Sequence, residues 1–360
     1  MFHRIISLFP TIGSSLGLLI LLLLLDTPAT FAQTDSTTGV NDSPSITEGW
    51  LVLNALEQGL ADPGVEIVDN ALHVVGGLSP EGPAAGLWQL NSQSRIWQRL
   101  PDLPVPRSDA ATAVISDTLY VIGGYNMWYG GALHDTHGYE SAMQTWITAT
   151  ALITPVSGAA AVVVNNEIYV FGGFDNVSET ALVQRYNPKL NRWTLGTPMP
   201  WARSEFDAVV LDGLVYLIGG NIFPVGSDDI HVATNGAPIS SAQVVVYDPT
   251  LNEWRTTPPL PEPRVDAAAI VRNGEIYVTG GTDRWIHGTI HADVFVYDPQ
   301  QDQWHTGPSL PTARGGHRGA LLDDHLYVVG GYDANGISMA NVTMFDTIAA
   351  TIYLPVISAR

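Results

Sequence analysis

Six glycine doublets recur in phase along the chain, each at the end of an apolar run: Gly76-Gly77, Gly123-Gly124, Gly172-Gly173, Gly219-Gly220, Gly280-Gly281 and Gly330-Gly331. Each closes a short apolar run, as in residues 119–122 (LYVI), 168–171 (IYVF) and 326–329 (LYVV); the first copy reads LHVV, with His73 where the others carry Tyr. A Trp stands 26 residues before the first glycine of every doublet (Trp50, Trp97, Trp146, Trp193, Trp254 and Trp304), and no insertion falls in that interval. Seven residues before four of these Trp lies a Tyr (Tyr139, Tyr186, Tyr247, Tyr297), with Leu90 in that place in the first copy. A period held this tightly means one supersecondary unit repeated six times.

Paired glycines permit positive φ and close backbone approach, and turns such as Asn187-Pro188 and Asp248-Pro249 close hairpins. The unit is therefore read as four short antiparallel strands. With 35 Gly, 24 Pro and only 14% charged residues, the composition also favours short strands and tight turns over long amphipathic helices. A single four-stranded sheet exposes both faces, so the six units must stack into a ring to bury them. The Tyr and Trp of the outer strands then pack between neighbours while their polar tips reach a hydrogen bond.

This pattern resembles the kelch repeat family over residues 46–347: four hydrophobic positions ending in Gly-Gly, then a spaced Tyr and Trp. The resemblance implies an all-β, six-bladed β-propeller with four antiparallel strands per blade, whose innermost strand precedes the Gly-Gly strand. Here those inner strands read AATAVI from Ala110 and AAAVVV from Ala159, and their small residues suit a crowded axis. The last blade has no fourth strand in its usual place. Trp50 keeps the repeat phase without preceding strands of its own, so an N-terminal strand at Trp50 is expected to close the ring beside Phe345. The competing strand is Ile352–Leu354, seven residues beyond Phe345.

Ahead of the repeats, Arg4, an apolar run from Ile12 to Leu25 and the small-residue stretch ending at Ala32 read as a signal peptide over residues 1–32. An uncleaved anchor is the rival, but the apolar run is short for a spanning helix of roughly 20 residues. Residues 33–45 are then a linker and 348–360 a tail, and the expected location is secreted or at the cell surface. The chain has no Cys, which removes disulfides, thiol nucleophiles and thiolate metal sites. Its net charge of −20 excludes a nucleic-acid partner, and no membrane insertion is expected once the signal is removed.

Ten residues after the repeat Trp come Arg107, Arg203, Arg264 and Arg314, while two blades carry Leu60 and Val156 there. In kelch propellers this phase and the loops after Gly-Gly build one face, where partners bind. The four Arg are candidates for a ligand, Arg314 above all for an anionic group. Asp109, Glu205 and Asp266, each two residues after an Arg, offer the competing structural role of local partners. The loops after Gly-Gly add Tyr125, Asp175, Asp283 and Tyr332, since aromatic and acidic side chains side by side suit a sugar as well as an ordinary turn. One loop is long, 27 residues from Gly220 to Tyr247, and carries Phe223, Asp228, Asp229, His231 and Asn235. His231, His287 and His291 with Asp228 and Asp283 match no established zinc or calcium spacing, so neither metal nor cofactor is expected.

No nucleophile elbow, zincin motif, phosphate loop or dinucleotide fingerprint occurs. The expectation is an extracellular binding module for a protein or carbohydrate, with no assigned catalytic residue. The enzyme alternative is a sugar isomerase similar to exported sialic-acid mutarotases, six-bladed propellers of the same layout, because interconverting anomers demands little motif.

Overall fold

The computed structural model describes residues 46–47, 49–91, 94–223, 239–284 and 288–346. The expected signal peptide, linker and tail, the competing strand Ile352–Leu354, and Asp228, Asp229, His231, Asn235 and His287 lie outside the described residues.

Among the described residues six blade sheets form, one per repeat, with three small sheets of two or three strands in the loops. In blade one the strands Gly64–Val68, Ala71–Val75, Leu87–Leu90 and Trp97–Leu100 pair in that order. Blades two to five repeat the pattern from the inner strands Ala111–Ile115, Ala160–Val164, Asp207–Leu211 and Ala268–Arg272. Each turn between first and second strand places two residues in the left-handed region, as at Asn165 (φ 52°) and Asn166 (φ 60°), which is the backbone of a tight hairpin. The inner strands touch one another in a closed cycle, so apolar side chains of adjacent sheets interdigitate all round the ring.

Blade six combines both ends of the repeat region. Gly315–Leu322, His325–Tyr332 and Val342–Phe345 are followed in the sheet by Trp50–Val52, with Trp50 opposite Phe345, and then by Ile46–Thr47. Trp50 therefore supplies the closing strand, and the short edge pair makes this blade five-stranded.

Two further sets of backbone bonds tie blade to blade. The N–H of the second glycine of each doublet donates to the residue at the repeat's Arg phase in the next blade: Gly77 to Arg107 O, Gly173 to Arg203 O and Gly331 to Leu60 O, each at 2.8 Å. Gly172, at φ 59°, lies so close to the Arg203 carbonyl that a Cβ would overlap it. Indole nitrogens form the second set at the outer rim, four of them donating to a carbonyl of the preceding blade, while that of Trp254 finds no partner among the described residues. Trp97 reaches Asn54 O at 2.9 Å, Trp146 reaches Pro101 O at 2.8 Å, Trp193 reaches Thr150 O at 2.8 Å and Trp304 reaches Pro258 O at 2.9 Å.

Candidate functional site

The ring has two unlike faces. On the loop face lie the connections after Gly-Gly and the inter-blade loops; on the hairpin face lie the two-residue turns. A channel runs between them along the axis.

At the loop-face mouth, the residues two positions after the Arg phase are Asp62, Asp109, Gly158, Glu205, Asp266 and Gly316. All six have left-handed backbone, with φ of 49°, 52°, 59°, 52°, 56° and 62°. Each N–H donates to the carbonyl of its counterpart in the preceding blade: Asp109 to Asp62 at 3.1 Å, Gly158 to Asp109 at 3.1 Å, Glu205 to Gly158 at 2.9 Å, Asp266 to Glu205 at 3.1 Å and Gly316 to Asp266 at 2.9 Å. Asp62 N closes the circle on Gly316 O at 2.6 Å. The channel is thus girdled by a continuous belt of six backbone hydrogen bonds.

Four of the belt residues carry carboxyl groups, and these are only 3–6% exposed. Glycines at the other two positions leave room for them: a Cβ on Gly158 would come 2.5 Å from Glu205 Oε1, and one on Gly316 would come 2.5 Å from Asp62 Oδ1. The Tyr332 hydroxyl donates to Asp266 Oδ2 at 2.6 Å, and Ser108 donates to Asp109 Oδ2 at 3.3 Å. Asp62 Oδ1, Asp109 Oδ1, Glu205 Oε2 and Asp266 Oδ1 find no protein partner among the described residues.

Burial, then mutual repulsion, raises the proton affinity of this layer. Burial and then the charge of Asp266 push Asp109 up to about 7, against the pull of Arg318. Asp62 and Glu205 are pushed well above the carboxylate range, by burial first and then by their acidic neighbours. Deeper in the channel, burial pushes Glu66 up to about 7 although Thr112 donates to it at 2.9 Å. Asp207 lies beside them and accepts from the N–H groups of Ala208 and Ala269, both at 2.8 Å. Burial disfavours the charge on Arg318, but attraction to Asp207, Asp62, Asp109 and Asp266 outweighs it and raises that guanidinium above its ordinary value.

The four arginines expected to face a ligand are instead interior, each no more than 1% exposed. Arg107 donates to Gly123 O at 2.8 Å and pairs with Asp135 at 3.1 Å; Arg314 donates to Gly330 O at 3.1 Å and Asn341 O at 3.3 Å. Arg264 joins Glu262 and Asp293, both at 3.1 Å, and lies 4.8 Å from the Phe295 ring centre. Arg203 donates to Leu217 O at 3.3 Å and lies 5.5 Å from the Phe206 ring centre. Burial pulls Arg203 and Arg314 down to about 10. Arg107 and Arg314 hold a doublet carbonyl of the blade they lead into, Arg203 holds the Leu217 carbonyl and Arg264 that of Pro263, and all four are buried from solvent. The competing structural role is the one they take, though through other partners than Asp109, Glu205 and Asp266: backbone carbonyls satisfy them, together with Asp135 for Arg107 and Glu262 and Asp293 for Arg264.

The loop residues divide. Tyr332 and half-buried Tyr125 cap the acid layer from above. Asp175 accepts from Val177 N at 3.0 Å and Ser178 N at 2.9 Å, and Asp283 accepts from Thr289 N at 2.8 Å, so both carboxylates close their own loops. Among the described residues, Glu262, His291 and Asp293 bring one ligand atom each within 4.8 Å of one another, and Arg264 already bridges the two acids.

Sequence reasoning missed the most exposed part of the loop face. Asn126 caps a 3₁₀ turn, Met127–Tyr129, accepting from Trp128 N at 2.8 Å; this turn leaves Trp128 60% and Tyr129 67% exposed. Asn176 Oδ1 accepts from Ala132 N at 2.7 Å, holding the neighbouring loop against this one, and that loop presents Val177 at 86% exposure. The available signal was three large apolar residues in a row, MWY at 127–129, inside a loop after Gly-Gly.

Six blades built on four antiparallel strands, the sixth with a short added edge strand, the doublet geometry and the Trp clasps define a kelch-repeat β-propeller. The chain belongs to the Attractin/LZTR1 beta-propeller family, whose model matches residues 62–291. It is similar to Kelch-like protein 23 of Pongo abelii, 30% identical over 61% of this chain and 36% of that protein. It is also similar to Beta-scruin of Limulus polyphemus, 24% identical over 69% of this chain and 28% of that protein. The matched region thus spans about a third of the length of these relatives. The solved structure of YjhT superposes with a TM-score of 0.69 at 18% identity, covering 81% of this chain and 95% of that one, which shows the shared fold.

Proposed function

We propose that this kelch propeller is an exported binding module that takes a protein partner on its loop face. The observation that carries the proposal is the pair Trp128 and Tyr129, held exposed by the Asn126 cap on a rigid ring and adjoining Val177. Aromatic side chains fixed outward supply large contact area with little conformational entropy left to lose on docking. Glu81, Asp175, Glu179 and Asp333 on the same face give the surface the sign of the whole chain and favour a partner bearing Lys or Arg.

The test places a photoreactive side chain at Tyr129 or, as a control on the hairpin face, at Leu190 in the chain expressed by its own host. The proposal expects a specific cross-linked protein from position 129 and none from position 190; equal yields from both would sink it. Export is checked by sequencing the N-terminus of protein recovered outside the cell, where Gln33 is expected first. A carbohydrate as the partner is tested by a glycan array with Trp128→Ala as the comparison.

The alternative, interconversion of sugar anomers, draws support from Glu66, a carboxyl group pushed up to about 7 that lines the channel with Asp207 and Arg318. It ranks second because its one anchor for an acidic sugar stands among six carboxyl groups. Following anomer exchange by NMR with and without the protein decides it.

A further inference from the structure

We propose that residues 352–357 of this chain close the hairpin-face mouth of the central channel, laying their apolar side chains on an aliphatic collar that the ring leaves open. The segment lies outside the described residues, whereas the surface it would cover lies within them. This contact is on the face opposite the loop-face docking surface and does not depend on it.

The collar is six side chains at one register. Ile67, Val114, Val163, Val210, Val271 and Leu321 each stand one residue before the last pair of an inner hairpin, at its turn end. All six line the cavity of about 400 Å³ that the inner strands enclose. Their chain neighbours Val68, Ile115, Val164, Leu211 and Leu322 are buried between blades, but the collar side chains stay half-buried and Leu321 is 36% exposed. A ring of partly exposed aliphatic groups around one opening marks a contact surface.

The chain itself delivers an occupant. In blade six, Val342–Phe345 runs from the doublet end of the sheet, where Val342 faces Val329, to the turn end, where Phe345 faces Leu326. The Asp346 N–H is then tied to Gly49 O at 2.9 Å, so the chain leaves the described residues on the hairpin face. It leaves from the blade that carries Leu321, two strands out from it, a gap of roughly 10 Å at the usual strand spacing. The five residues 347–351 span up to roughly 17 Å when extended, enough to bring Ile352 over the collar. There follows the run Ile352-Tyr353-Leu354-Pro355-Val356-Ile357, which is apolar but far short of the roughly 20 residues of a membrane span.

Charge agrees with this assignment. The hairpin turns around the collar expose Asp69, Asp117, Asp212, Asp323 and Asp324, while residues 347–360 hold Arg360 and no acidic side chain in a chain of net charge −20. The segment therefore meets the acidic rim without like-charge repulsion. Its competing place is the blade-six edge beyond Ile46–Thr47. That edge offers two residues of strand, and Pro355 has no N–H to give to a ladder.

The test exploits a chain without Cys. In the full chain, Leu321→Cys combined with Leu354→Cys should form an intramolecular disulfide under mild oxidation, read by mass spectrometry of the digest. Its yield should exceed at least tenfold that of two control pairs, Leu190→Cys with Leu354→Cys on the rim of the same face and Thr47→Cys with Leu354→Cys at the blade-six edge. Val163→Cys replaces Leu321→Cys should that variant fail to fold. Separately, Ala161→Cys, which lines the channel behind the collar, should react with a maleimide at least tenfold faster once Leu354→Asp is added, with the melting temperature little changed. Preferred cross-linking at position 47 would overturn the proposal in favour of an edge strand, and a disulfide-linked dimer would overturn it in favour of the mouth of a second copy. No cross-link above the controls, or a labelling rate unmoved by Leu354→Asp, would overturn it as well.

Discussion

The indole nitrogen of Trp50 donates to the carbonyl oxygen of Pro308 at 3.1 Å, across 258 residues of chain. The four rim clasps between successive blades span 43–46 residues, so Trp50 makes between the two ends of the repeat region the contact its counterparts make between neighbours. Its ring also lies 5.1 Å from Phe345, its partner in the strand pair.

Ring closure therefore has a single weak point. Trp50 is 1% exposed, and Trp50→Ala should cost about 3–5 kcal/mol through the cavity and the lost clasp. Removing residues 46–54 should cost more, because it also leaves the Val342–Phe345 edge unpaired. Thermal unfolding measures both; a melting temperature unchanged by the deletion would refute closure by this strand.

Gly172 combines a φ of 59° with overlap between any Cβ and the Arg203 carbonyl. Gly172→Val should destabilise by at least about 1–3 kcal/mol from backbone strain, with steric displacement added. Gly213, at φ 78° with open space around it, separates the two effects: Gly213→Ala should show strain alone and a smaller loss in denaturant unfolding.

Stability should fall as pH rises. Asp109 and Glu66 titrate at about 7 in the folded protein and near ordinary carboxyl values when unfolded, so the native state holds more protons between those limits. Their favourable contribution is complete below the unfolded value and is lost as pH climbs through about 7. The melting temperature should be higher at pH 5 than at pH 8, and Asp109→Asn should flatten the difference; a profile rising toward pH 8 would contradict the buried acid layer.

Trp128→Ala and Tyr129→Ala should each weaken partner capture by at least tenfold while moving the melting temperature little, since both side chains are mostly exposed. Arg314→Ala should behave in the opposite way, with a large loss of stability, because it strips donors from the Gly330 and Asn341 carbonyls. Calorimetry beside a binding assay distinguishes the two patterns.

Repeat spacing determined a great deal here. Trp50 was placed on the closing strand by its phase alone, and the doublets announced their own left-handed backbone, because both are local demands that any chain with this period must meet. Position in sequence could not show which way a side chain turns. In an extended strand, residues two apart point to the same side, and on that rule Arg107 and Asp109, or Arg264 and Asp266, should be partners. The left-handed backbone at Asp109 and Asp266 breaks the rule: the arginines go out between blades and the acids go in to the axis. That reversal exists only because six chain segments meet around one axis and bond to one another in a belt, so the acid layer, the role of Arg318 and the channel were decided by tertiary structure. The sequence by itself determined the repeating blade and its closure; convergence of distant residues on a shared axis, where charges that are far apart along the chain come within reach of one another, determined the site.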